Sequence, residues 1–155
     1  MSIPSYAPHG RLTWWCKLEW FAPWNRDLRP VLWIDLDTYM FHVEPFEVAD
    51  TGEFWMIDNF NAPRHGESGL MVIPKDVDHI WSALLQISIR PSAADACFLR
   101  NFAHKRLNRV VDGIYSYKRH CKERLPADAN AVCFHGEPKP PDTKGWSKLH
   151  WQALI

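Results

Sequence analysis

Two carboxylates one residue apart, Asp35 and Asp37, close the apolar run Pro30-Val31-Leu32-Trp33-Ile34, and no other pair in this 155-residue chain is so well placed to do chemistry. β-Branched Val31 and Ile34 with aromatic Trp33 predict a strand buried on both faces. Burying a carboxylate without a partner is costly, so the pair is expected at the strand's exit, facing positive charge. On a continuing strand alternate residues share a face, which would set Asp35 beside Asp37 and turn Leu36 into the core. Two hard oxygen donors together suit Mg²⁺ or Mn²⁺, leaving coordination sites for phosphate oxygens. The same short spacing also suits strand-end or capping acids that bind nothing.

A second candidate is Cys133-Phe134-His135-Gly136-Glu137-Pro138-Lys139-Pro140. A histidine at a strand end, followed by glycine, reaches a metal or a phosphate without hindrance from its neighbour. The plainer reading is a structural turn. His120, Cys121, Cys133 and His135 could instead hold zinc, although their spacing matches no common zinc module. Arg100, Lys105, Arg106, Arg109, Lys118, Arg119, Lys122 and Arg124 form a basic stretch, either a solvated face or a platform for a diphosphate or nucleic-acid acceptor.

The elements that must position these residues alternate between strand and helix. Residues 1–12 read as an arm and residues 13–155 as one domain. Thr13 can cap a helix with Trp14, Leu18 and Phe21 on one face, stopped by Pro23. Strand patterns cover Val31 to Val43, Glu53 to Asp58, Gly69 to Ile73, Val110 to Tyr117 and Ala131 to Phe134. The polar loop from Asn59 to Ser68 has the composition of a binding loop. A helix is expected from Asp76 to Ile87, with Val77, Ile80, Trp81, Leu84 and Leu85 as its stripe. Another is expected from the capping box at Ser92–Asp95 to about Leu107. This order predicts an α/β domain with a mixed, mostly parallel sheet flanked by helices.

The length supports one full core. A net charge of zero gives no support to non-specific binding of nucleic acid or anionic membrane. The distribution is uneven, because no Lys or Arg lies between Arg29 and Arg64 while Asp35, Asp37, Glu44, Glu47, Asp50, Glu53 and Asp58 do. An acidic, cation-seeking half thus meets the basic, anion-seeking stretch. Four cysteines without CxxC spacing, no secretory signal and no long apolar run predict a cytoplasmic protein with free thiols and no membrane span. Nine tryptophans suit core packing and also pockets for sugars, bases or partner proteins.

In order and spacing these segments resemble the glycogenin-like glycosyltransferases with the type-A fold, and more closely the short glycosyltransferase-like proteins found in phage genomes. The resemblance rests on Trp14-Trp15-Cys16-Lys17-Leu18-Glu19-Trp20-Phe21, on Val31 to Thr38, on Glu67-Ser68-Gly69-Leu70-Met71, and on the approach of Cys133 to Pro140 to the family's closing His-Phe-x-Gly-x-x-Lys-Pro. It implies a shortened type-A fold and a metal-dependent transferase acting on a nucleotide-sugar. Asp35, Asp37 and His135 would then hold Mn²⁺ or Mg²⁺, and Lys17, Asp35, Gly136 and Lys139 would bind the donor. Asp58, Asn59 and Asp95 would line the sugar or acceptor site as the catalytic set.

The sequence also departs from the family pattern. The base-binding strand-helix-strand that usually precedes the first matched helix has no counterpart. Cys133 stands three residues before the glycine where the family has histidine, and Ala94-Asp95-Ala96 keeps the acid of a Gly-Asp-Gln motif without its amide. A partner protein or a second copy is expected to complete the site if the protein is active. The acceptor stays open, with nucleic acid one option. The alternative is an inactive, shortened transferase fold used for protein interaction, for instance against a host defence complex.

Overall fold

The computed structural model describes residues 14–49, 51–86 and 95–154. Within them are the strands β1 (Val31–Ile34), β2 (Thr38–Met40), β3 (Trp55–Asp58), β4 (Gly66–Ile73), β5 (Lys105–Arg106), β6 (Ile114–Ser116) and β7 (Ala131–Cys133). The α-helices are α1 (Asp78–Leu84), α2 (Asp95–Leu99) and α3 (Trp146–Leu154), and two 3₁₀ helices, Trp14–Phe21 and Pro23–Leu28, precede β1. The strands make two sheets, ordered β1-β4-β3-β5 and β2-β7-β6.

β4 holds the first sheet together because both of its faces are apolar. Met71 and Ile73 turn to one side and pack with Leu18 and Phe21 of the first 3₁₀ helix, Ile80 of α1 and Leu99 of α2. Leu70 and Val72 turn to the other, meeting Leu107, Ile114, Ala131 and Cys133. This is the two-residue alternation of a strand covered on both faces. β7 repeats it: Ala131 and Cys133 face the first sheet, while Val132 packs with Tyr39, Tyr117 and Phe134, backed by Trp146 and Trp151 of α3. The result is four layers, helices, sheet, sheet and helix. Fully burying each large side chain contributes on the order of 1.5–3 kcal/mol.

The expected α/β domain with mixed sheets between helices is what forms. Its strand directions are balanced differently from the expectation: β1 and β3 pair with β4, and β2 with β7, antiparallel, while β3–β5 and β6–β7 are parallel. β1 is an edge strand and half-buried, not buried on both faces.

The helix expected to run to Leu107 stops at Leu99. The Asn101 side-chain amide donates to the carbonyls of Cys97 and Phe98 at 3.1 and 3.0 Å, satisfying the helix end and turning the chain toward β5. Most of its expected capping box lies outside the described residues, as do the 1–12 arm and the end of the helix expected at Ile87. α3, built on Trp146 and Trp151 beyond the Pro-rich segment, was not anticipated. Among the described residues no helix is long and apolar enough to cross a membrane.

Candidate functional site

The Asp35-Leu36-Asp37 stretch is not the continuing strand its pattern suggested. β1 ends at Ile34, and the Thr38 N–H donates to the Asp35 carbonyl at 2.9 Å, closing a tight turn. Aspartate is favoured at the first position of such a turn. Leu36 therefore sits at the apex, 97% exposed, where the two-residue period had placed it in the core. The turn joins the sheets. Asp35 is pinned to the first sheet by its N–H to the Gly69 carbonyl at 2.9 Å, and Asp37 to the second by its carbonyl, which accepts from Phe134 N–H at 2.9 Å.

Between these anchors lies a cleft of about 280 Å³, lined by Lys17, Asp35, Asp37, Thr38, Glu67, Ser68, Gly69, Asp95, Cys133, Phe134, His135, Gly136 and Lys139. A break in the β3–β4 register after Met56 shapes one wall: Met56 faces Met71, but Ile57 already faces Glu67, leaving Ser68 and Gly69 free of that ladder. Of the residues expected at a site, Lys17, Asp35, Asp37, Asp95, His135, Gly136 and Lys139 all reach the cleft. They come from the first 3₁₀ helix, the β1–β2 turn, α2 and the chain after β7.

Lys17 is the buried hub, 4% exposed. Its ammonium donates to both oxygens of Asp35, at 2.7 and 2.9 Å, and to the Ser68 carbonyl and hydroxyl, at 3.3 and 3.4 Å. It also stands 3.3 Å from Asp95 Oδ2. That contact is an ion pair without hydrogen-bond alignment, which leaves the buried Oδ2 otherwise unpartnered. The Trp33 indole N–H donates to Asp35 Oδ1 at 2.7 Å. Asp37 is paired separately with the Lys139 ammonium.

His135 is half-buried, and its Nε2 is enclosed without a hydrogen-bond partner. Burial is the main cause lowering its pKa; Asp37 opposes this and the ammonium groups of Lys118 and Lys139 reinforce it. Cys133, at the family's histidine position, is pushed up to about 12, chiefly by burial and further by the charges of Asp37, Asp35 and Glu67, against a lowering bond from Thr38. It is a protonated thiol at neutral pH. Gly136 has φ +63°, and a Cβ there would lie 3.7 Å from Lys118 Nζ. The turn thus presents bare backbone close to a cation.

Asp58 and Asn59 do not line this cleft. The Asp58 carboxylate faces Arg106 at 3.5 Å, and its N–H donates to Asn108 Oδ1 at 2.8 Å. Asn59 lies one bond behind, its amide donating to Glu67 Oε2 at 2.7 Å while Arg100 approaches the same oxygen at 3.4 Å. Glu67, Ser68 and Thr38 are site residues that residue-type reasoning had not selected. Their one signal was adjacency to the Gly69-Leu70-Met71 strand and to the acidic pair.

A divalent cation fits this donor set poorly. Among the described residues no three His, Cys, Asp or Glu side chains are grouped to hold a metal, which bears equally on Asp35, Asp37 with His135 and on the zinc alternative. In the latter, His120 Nδ1 already accepts the Ser116 N–H at 3.0 Å. Both acids of the Asp-x-Asp pair are instead engaged by lysines. A second groove of about 270 Å³, beside edge strand β1, is lined by Val31, Leu32, Val43, Phe46 and Val72 with Glu47, and offers no comparable chemistry. Comparison with known protein families and with curated proteins finds no family pattern and no sequence that matches this chain.

Proposed function

We propose that this protein is a glycosyltransferase-like binder of a nucleotide-sugar, with the sugar and its phosphates seated in the cleft between the two sheets. The observation that carries this reading is the convergence of Lys17, Asp35, Asp37, Asp95, His135, Gly136 and Lys139, spread from one end of the described chain to the other, on one cavity. Its two ends differ in chemistry. Lys139, with its side chain 41% exposed, and the bare turn at Gly136 beside Lys118 suit phosphate oxygens. Asp95 Oδ2, ion-paired with Lys17 but without a hydrogen bond, and the acid Glu67 suit sugar hydroxyl donors. At about 280 Å³ the cleft is at the lower edge of the roughly 300–1,000 Å³ typical of ligand pockets, room for a phosphorylated sugar with the base outside.

In sugar transfer an acceptor hydroxyl oxygen bonds to the anomeric carbon and gives up its proton as the bond from that carbon to the diphosphate oxygen breaks, and negative charge builds on the leaving diphosphate. Lys139 would meet that charge as it develops. Asp95 would orient the sugar through its hydroxyls, and buried Lys17 would hold Asp35 and Asp95 in place. No step is assigned to a metal. Titration calorimetry with a panel of nucleoside diphosphate sugars tests the reading. It expects one site per chain and loss of the heat in Lys139→Ala; a folded protein that gives no heat with any donor refutes it.

The second reading is a transferase-like fold retained for protein interaction. It draws on the neutralisation of Asp35 and Asp37 by the chain's own lysines, and on exposed Trp24, Leu28 and Leu36. Binding without turnover across all donors and acceptors, together with a stable complex with a host protein, would favour it over transfer.

A further inference from the structure

The Asp-x-Asp pair is normally a feature that asks for a divalent cation, yet here each carboxylate already faces one positive charge. Lys17 spans both oxygens of Asp35, while Trp33 takes a further lone pair of Oδ1. Lys139, arriving from the chain after β7, pairs with Asp37. The two lysines are not equivalent. Lys17 has a side chain 5% exposed, fixed by Asp35, Asp95 and both oxygens of Ser68, so its displacement would strand two acids in a poorly solvated wall. Lys139 is 41% exposed on its side chain and free to swing from Asp37 to an incoming anion.

We infer that the ammonium groups of Lys17 and Lys139 take the place of a divalent cation in this cleft, Lys17 as a fixed structural charge and Lys139 as the charge that meets the ligand. The ligand part of this inference rests on the proposed binding of a phosphorylated sugar; the replacement of the cation does not. A metal entering between Asp35 and Asp37 would have to approach two ammonium groups and evict at least one. A phosphate approaching the same place gains Lys139 directly, and Asp37, once released, is left beside the enclosed His135 ring. An anion that takes Lys139 leaves Asp37 unpaired, so it is met at the exposed end of the cleft, by Lys139 and by Lys118 beside the Gly136 turn, without a bridging metal.

Manganese paramagnetic resonance on the full chain, with Mn²⁺ alone as probe, decides the matter. The wild type is expected to take up no Mn²⁺ at equimolar concentration. Lys139→Met, at a partly exposed side chain, is expected to gain affinity by about tenfold or more, the scale on which one close charge shifts a binding equilibrium. Stoichiometric uptake by the wild type, or no gain in a Lys139→Met variant whose circular dichroism is unchanged, overturns the inference. A second arm measures inorganic pyrophosphate binding in chelator and in Mn²⁺. Equal affinity supports a metal-free ligand site, a requirement for Mn²⁺ overturns it, and absence of binding in both buffers refutes the proposed function while the manganese arm still rules on the lysines.

Discussion

Replacing Lys17 with methionine keeps an unbranched chain through the Cε position and removes the ammonium group. In the wild type that ammonium is shared by Asp35 and Asp95, and the Asp95 side chain is only 6% exposed. Taking away one partner of a buried ion pair costs about 3–5 kcal/mol, mostly the penalty of leaving the other charge unpaired. Asp35 retains the Trp33 indole and partial solvation, so the penalty falls mainly on Asp95. Urea denaturation followed by tryptophan fluorescence should show a loss within that range at neutral pH. The double variant Lys17→Met/Asp95→Asn should lose less than the sum of its two singles, by roughly 1–3 kcal/mol of coupling. A single-variant loss below about 1 kcal/mol with strictly additive singles would refute the assignment of Lys17 as the buried hub.

Four further outcomes follow from the same geometry. Leu36→Ser should change stability by no more than about 0.5 kcal/mol in a thermal melt, because the side chain is 97% exposed; a large loss would mean that it packs. Gly113→Ala should destabilise far more than Gly52→Ala, which carries the left-handed penalty of roughly 1–2 kcal/mol alone: both have positive φ, but a Cβ on Gly113 would meet the Asp128 carbonyl at 2.2 Å while Gly52 faces open space. Equal midpoints in denaturant would contradict this. In a thiol-labelling assay on the native protein at mildly alkaline pH, exposed Cys16 and Cys97 should react and buried Cys121 and Cys133 should not, the latter two held at about 11 and about 12; all four should react in urea. His135, with a folded pKa below its unfolded 6.5, binds its proton more weakly when folded, so its effect is to lower stability as pH falls through and below 6.5. His135→Gln should make stability less dependent on pH between 7 and 5, and an unchanged slope would count against its burial.

The sequence exposed the site more clearly than the architecture around it. Residue type and spacing marked Asp35, Asp37, His135 and Gly136, the family resemblance added Lys17, Asp95 and Lys139, and all seven reach one cleft. What could not be read was the turn at Asp35–Thr38. Asp-Leu-Asp-Thr holds neither the Gly nor the Pro that would mark a break, so the two-residue period predicts a continuing strand with Leu36 inside, where the turn leaves it exposed. That one turn also divides the strands into two sheets. Strand direction was equally hidden, since β4's apolar faces fit either a parallel or an antiparallel neighbour. Asp58 and Asn59 looked like ligand residues because they end a strand beside a polar loop; their partners, Arg106, Asn108 and Glu67, lie too far along the chain for local pattern to disclose.

A crystal soaked with a nucleoside diphosphate sugar decides whether the cleft between the sheets receives a phosphorylated sugar. Phosphate density is expected against Lys139 and the Gly136 turn, with the sugar toward Asp95 and the Asp37–Lys139 pair opened. Density in the groove beside β1, or an unchanged Asp37–Lys139 pair at saturating ligand, would contradict it.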